Sequence, residues 1–205
     1  MNYGIAAAMG YLLGCFNMAF VLSRLQKAEI QDKGSGNLGA SNAAMLLGWR
    51  AGLLVCAVDV LKAVLAVALA RCFFPEVQYV GALAGVAAVL GHIFPFYLKF
   101  HGGKGFASFL GLTLALNWKF ALVILAMIIL VSVLTDYIVC GTVTTVVTTP
   151  LYLAYSSRSV LLGLILTVAA AVILIKHREN YQRIRSRTEI GVKSALRGDH
   201  RIRQK

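Results

Sequence analysis

The stretch Gly91-His92-Ile93-Phe94-Pro95-Phe96-Tyr97-Leu98-Lys99-Phe100-His101-Gly102-Gly103-Lys104-Gly105 begins at the end of one apolar run and stops just before another, which starts at Phe106. Pro95 fixes its own φ and lacks a backbone donor, so it bends or ends the helix leading into it. Glycines on both sides of Lys104 let the chain turn sharply and leave backbone N–H groups uncovered. Amides of this kind beside one ammonium, at the start of a helix, suit a phosphate. Gly102, Gly103, Lys104 and Gly105 are therefore candidate anion ligands. The plainer alternative is a polar turn between two membrane helices, with Lys104 at the lipid interface. His92, just before the turn, is a candidate base or donor; a hydrogen-bonded interface histidine is its default role.

Outward from this stretch, the 205-residue chain is 59% hydrophobic, with a mean hydropathy of +0.77. Soluble domains are nearer about 45–50% apolar. Apolar runs of about 18 residues or more recur, which is the signature of several transmembrane helices. The first run lacks a basic n-region and is followed by charged residues, unlike a cleavable signal. The expectation is an all-α integral membrane protein, with residues 1–190 as one multi-spanning domain and a basic, disordered tail over 191–205.

Net charge is +12, but its distribution argues against nucleic acid as the partner. Ten of the twenty Lys and Arg lie from Lys176 onward, and Arg24, Lys27, Lys33 and Arg50 lie in the first polar segment. Juxtamembrane cations favour the cytoplasmic side and anionic lipid. The four cysteines have no paired spacing, so neither a disulfide framework nor a metal site is expected.

The first run, Asn2 to Ser23, reads as one helix. Asn17 within it is expected to bond neighbouring protein. The polar segment after it contains Gly34-Ser35-Gly36-Asn37-Leu38-Gly39-Ala40-Ser41-Asn42, a turn-rich and donor-rich loop. Ser35, Asn37 and Asn42 are its candidate ligands. The next run carries Asp59 and Lys62 on one helical face. They suit a buried ion pair, or the wall of a polar cavity.

Phe106 to Asp136 could be one long helix or two broken at Asn117-Trp118-Lys119. Two helices put both basic segments on the same side of the membrane, so two are preferred. Val139–Tyr155 and Ser159–Ile175 add two more, and the threonines from Thr142 to Thr149 are expected to bond between helices. The sum is about seven spans, N-terminus outside and C-terminus cytoplasmic. All the polar motifs then face the cytoplasm. The last is Lys176-His177-Arg178-Glu179-Asn180-Tyr181, continuing to Thr188-Glu189. If the last helix continues, His177, Asn180, Tyr181 and Ile184 form a stripe.

Together these segments resemble the three signature motifs of the bacterial acyl-phosphate:glycerol-3-phosphate acyltransferase family, the PlsY type. Motif one is Gly34 to Asn42. Motif two is Gly91-His92-Ile93-Phe94-Pro95 followed by Leu98 to Gly105. Motif three is His177-Arg178-Glu179-Asn180 with Thr188-Glu189. The resemblance covers about residues 1–190 and implies a seven-helix enzyme of the bacterial plasma membrane, its active site on the cytoplasmic face.

The implied reaction moves a fatty acyl group from acyl phosphate to the 1-hydroxyl of glycerol 3-phosphate. Its products are lysophosphatidic acid and phosphate, in the first acylation of phospholipid synthesis. No cofactor is implied; the partners are the two substrates, membrane lipid and a possible supply enzyme making acyl phosphate. On this resemblance Ser35, Lys104 and His177 are the candidate catalytic residues. Asn37, Asn42, His92, Asp59, Lys62, Gly102, Gly103, Gly105, Glu179 and Asn180 are the candidate substrate ligands. Several positions depart from the family pattern: Asn17 stands where proline is usual, Met45 where arginine is usual, His101 for a common lysine, and Ala63 for a glycine. The rival reading is a small transporter of an organic phosphate, which would spread polar residues through the membrane depth.

Overall fold

The structure is a computed structural model and describes residues 1–196. It is all-helical over the described residues: α1 (Asn2–Cys15), α2 (Met18–Leu25), α3 (Ala40–Leu47), α4 (Trp49–Phe73), α5 (Val80–Ile93), α6 (Phe106–Leu116), α7 (Trp118–Thr135), α8 (Ile138–Ser156), α9 (Val160–Lys176), α10 (Arg178–Arg185) and α11 (Val192–Leu196). They fall into two compact units, Met1–Trp118 and the chain from Lys119 on.

In the first unit α1 lies against α5, and the contact is made by small residues. A side chain at Gly10 or Gly14 would run into the backbone of Ala84 or Ala88, and one at Gly91 would run into Tyr11 O. Such close backbone approach is how helices associate where lipid removes the hydrophobic drive. The pairing rises together along both helices, so α1 and α5 are parallel. α4 runs the other way beside α1: Ala70 packs with Ala6, while Lys62 reaches Phe16. α6 is antiparallel to α5, with Leu112 against Gly85 and Gly103 against His92. The segments 26–39 and 94–105 therefore emerge at the same end of this unit.

The first apolar run is not one continuous helix. It breaks after Cys15, and Asn17 restarts it as the N-cap of α2, its Oδ1 accepting from Phe20 N at 2.9 Å. The break at Asn117, between α6 and α7, is present as two helices require.

In the second unit α7, α8 and α9 form antiparallel hairpins. Phe120 stacks on Tyr152 at 3.9 Å between centroids, Gly141 faces Ile128 and Ser132, and Gly163 faces Ala154. The threonines of α8 do not reach across to other helices as expected. Thr144, Thr145 and Thr148 donate to the carbonyls of Cys140, Gly141 and Thr144 at 3.0, 2.8 and 2.7 Å. A hydroxyl one turn downstream is already beside that carbonyl, so the local bond forms first.

Among the described residues, five stretches are long and apolar enough to cross a bilayer, and a sixth is reached if α9 and α10, bent by 43°, count together. α6, with 11 residues, is shorter than that criterion. By length and composition the structure supports five or six spans, against the seven expected. The bend also corrects the straight stripe from His177 to Ile184, because His177 sits at the elbow. Residues 191–196 fall in the tail expected to be disordered. They instead begin with Gly191 packed on Asp136, and Val192 N and Lys193 N, the first two residues of α11, donate to Asp136 O and Oδ1 at 2.8 and 2.9 Å. The rest of that tail lies outside the described residues.

Candidate active site

The glycine loop is built around Asn42. Gly34 and Gly36 adopt φ of +63° and +65°, open to glycine at little cost. Asn42, 1% exposed, accepts from Ser35 N at 3.0 Å and donates to Ile30 O and Lys33 O at 3.0 and 3.3 Å. Its amide thus holds the loop expected to bind substrate. The same bonds fix Ser35, which is exposed, and Asn37 is half-buried beside Gly39. Leu38 O accepts from Asn17 Nδ2 at 3.1 Å, tying the loop to the break in the first run.

The second loop folds back on the end of α5. After Pro95 comes a single 3-10 turn, Phe96–Leu98, and then Lys99 and Phe100 both at positive φ. That reversal brings Gly102 N to Ile93 O and Gly103 N to His92 O, each 3.1 Å. These two amides, expected to face a phosphate, are therefore taken by the protein. The glycines serve close packing instead: a Cβ on Gly103 would strike the His92 ring, and one on Gly102 would strike His92 O and Pro95. Gly105, at φ +89°, opens α6. Lys104, half-buried, comes two residues before that helix's first residue, where the dipole favours anions.

Asp59, Lys62 and His92 are bonded to one another. Lys62 Nζ is 2.7 Å from Asp59 Oδ1, 2.8 Å from His92 Nδ1 and 2.8 Å from Phe16 O. His92 Nδ1 is 3.1 Å from Asp59 Oδ1. All three are nearly inaccessible. Buried charges persist when each has a close partner of opposite sign and further hydrogen bonds. These contacts support the ion-pair reading of Asp59 and Lys62, with His92 joined to the pair. The geometry also explains why Gly103 has no room for a side chain, since the ring it crosses cannot swing away.

In the second unit His177 lies buried at the α9–α10 elbow, its Nδ1 2.8 Å from Ile173 O. A carbonyl only accepts, so Nδ1 carries the proton and Nε2 is the basic nitrogen of the neutral ring. Glu189 accepts from Asn180 Nδ2 and from Arg183 Nε, both at 2.6 Å. Glu179 is exposed and 4.0 Å from Arg183 Nη1. Burial raises the Tyr181 phenol above its ordinary value, with Cys140 adding to it.

A family model described as glycerol-3-phosphate acyltransferase matches residues 4–187. The chain belongs to the glycerol-3-phosphate acyltransferase family. It is 36% identical to a glycerol-3-phosphate acyltransferase of Thermoanaerobacter pseudethanolicus, over 94% of this chain and 98% of the relative. It is 37% identical to one of Coxiella burnetii, over 94% and 100%. A crystal structure of PlsY, an integral membrane glycerol 3-phosphate acyltransferase in its glycerol 3-phosphate form, superposes with a TM-score of 0.88. Identity is 28%, covering 96% of this chain and 98% of that one. The lysophosphatidic acid form superposes at 0.84 with 29% identity, covering 93% and 95%. Like that enzyme, this acyltransferase-family chain is an integral membrane protein with several membrane-spanning helices.

Some supporting residues of this family member carry no mark in the sequence. Tyr97 OH donates to Cys15 O at 2.9 Å, and Tyr11 OH to Phe94 O at 2.7 Å. Nothing local singles out either tyrosine. Arg183 could have been suspected from its charge opposite Glu189, six residues on.

Proposed function

We propose that this chain transfers a fatty acyl group from acyl phosphate to the 1-hydroxyl of glycerol 3-phosphate, releasing lysophosphatidic acid and inorganic phosphate. The observation that carries the reading is the second loop. Gly103 locked over His92 holds Lys104 just ahead of an apolar helix, and a cation so held suits a phosphate head group whose acyl chain lies in lipid.

Acyl phosphate is a mixed anhydride, so its carbonyl is already activated. The acceptor hydroxyl attacks that carbon, a new C–O ester bond forms, and the bond to the phosphate oxygen breaks. Lys104 neutralises charge on the departing phosphate. Gly105 and the first turn of α6 add amide donors. Ser35 and Asn37 orient substrate oxygens, and transfer is direct, with no acyl-serine. Glu179 and Asn180 hold the acceptor. The hydroxyl proton goes to His177 Nε2 or to a phosphate oxygen.

The orientation that suits this chemistry has the N-terminus outside, the C-terminus cytoplasmic and the site on the cytoplasmic face of the bacterial plasma membrane. α6 is then a seventh, short crossing. At about 1.5 Å per residue it is roughly half the bilayer core. An enzyme making acyl phosphate must supply the donor. The transporter alternative is weaker because the buried charges Asp59, Lys62 and His92 form a closed cluster and not a path.

The test is phosphate release from palmitoyl phosphate, dependent on glycerol 3-phosphate, by the purified chain. Lys104→Ala is expected to lower kcat/KM at least 100-fold. Unaltered activity defeats the site. Uptake of glycerol 3-phosphate into vesicles without acylation defeats the enzyme.

A further inference from the structure

A helix broken inside a membrane leaves carbonyls without their usual partners, and those groups must be satisfied by other protein. At the break between α1 and α2 they are, but the partners come from particular places. Cys15 O accepts from Tyr97 and Phe16 O accepts from Lys62. Tyr97 belongs to the stretch leading to the Lys104 loop. Lys62 contacts His92, whose carbonyl takes the Gly103 amide and whose ring lies under Gly103. On the other side of the break, Asn17 uses Oδ1 to cap α2 and sends Nδ2 to Leu38 O in the glycine loop. Asn17 is 1% exposed and Lys62 is 6% exposed.

We propose that this break is the register between the two loops: Asn17 and Lys62 are positioning residues that set the Ser35 loop and the Lys104 loop relative to each other. The inference deepens the acyltransferase reading and rests on it for its kinetic consequence alone. A cap by itself needs only an acceptor, which serine or aspartate supplies. The donor of Asn17 is surplus to capping, and it goes to the loop. Lys62 likewise has Asp59 as counter-charge, yet its ammonium also spans the broken carbonyl and the histidine beneath Gly103. The chain Leu38–Asn17–Phe16–Lys62–His92–Gly103 is continuous in hydrogen bonds and backbone.

The experiment compares Asn17→Ser with Asn17→Ala in the full-length protein. Serine keeps the cap, and its short side chain cannot span to Leu38 O. Amide hydrogen exchange is read in peptides covering 34–42 and 102–105, beside kcat, both KM values and Tm. Asn17→Ser is expected to speed exchange at least threefold in both peptides. It should lower kcat about tenfold with KM within about twofold, while recovering most of the Tm lost in Asn17→Ala. Faster exchange confined to 34–42, or wild-type kcat in Asn17→Ser, overturns the register. Asp59→Leu/Lys62→Met removes both buried charges together, a change often tolerated by folds. It should speed exchange in 102–105 by a similar factor, and unchanged exchange there also overturns the proposal. Exchange is read without substrate, so a chain inactive toward acyl phosphate would defeat the functional reading and leave this one standing or falling by its peptides.

Discussion

Gly103→Ala is the sharpest perturbation of the second loop. An added Cβ would come 2.6 Å from His92 Cε1 and 3.0 Å from Cδ2, with Nε2 nearer still. Ordinary contact starts near 3.4 Å. The ring has little room to yield: it is buried, with Nδ1 2.8 Å from Lys62 Nζ and 3.1 Å from Asp59 Oδ1, bonding one or the other according to its tautomer. The backbone at 103 must therefore move, by roughly 1 Å, and Lys104 moves with it. Overpacking of this kind costs about 1–3 kcal/mol of stability. A misplacement of about 1 Å at a charge-stabilising group costs on the order of 100-fold in rate. The assay is phosphate release from palmitoyl phosphate at saturating glycerol 3-phosphate, with Tm measured in the same detergent. The control is His92→Ala, which removes the obstructing ring. Contacting residues are non-additive, so Gly103→Ala added to His92→Ala should cost less than threefold further. Wild-type kcat in Gly103→Ala, or an equal penalty in both backgrounds, refutes the reasoning.

Asn42→Ala strips Ser35 N, Ile30 O and Lys33 O of their partner and should cost about 1–3 kcal/mol with at least a tenfold loss of kcat. Asn42→Asp, which keeps the acceptor for Ser35 N, should lose less than Asn42→Ala in the same acylation and melting assays. Glu189→Gln weakens the hold on Arg183 and Asn180. The site is partly exposed, so less than about 1 kcal/mol of stability should go, while KM for glycerol 3-phosphate rises severalfold. For orientation, exposed Cys72, near the end of α4, should react with an impermeant maleimide added outside intact cells. Lys33→Cys combined with Cys72→Ser should react only after the inner face is opened, and the reverse pattern defeats the proposed orientation.

The polar loops could be read directly because glycine, asparagine and lysine stand out between long apolar runs. The interruption at Asn117 could be read because charge asymmetry demands an extra helix end there. The break at Phe16–Asn17 could not, since apolar residues continue on both sides and one asparagine is no breaker by itself. The pairing of Asp59 with Lys62 follows from helical spacing. His92 joins them from 30 residues away, through packing of α5 on α4 that no local pattern encodes. The amides of Gly102 and Gly103 turn inward for a related reason. A glycine-rich turn exposes its donors only until the positive-φ pair Lys99 and Phe100 folds it back onto α5.

The hydroxyls of α8 that close onto their own backbone bear on how the chain is made. This helix is the least hydropathic of the five full-length spans, at 1.4. Because Thr144, Thr145 and Thr148 satisfy themselves one turn upstream, Thr149, buried and without a hydrogen bond of its own, is the one of these hydroxyls left with an open polar demand. The segment's entry into lipid therefore leans less on neighbours already being in place than it would with those three hydroxyls open.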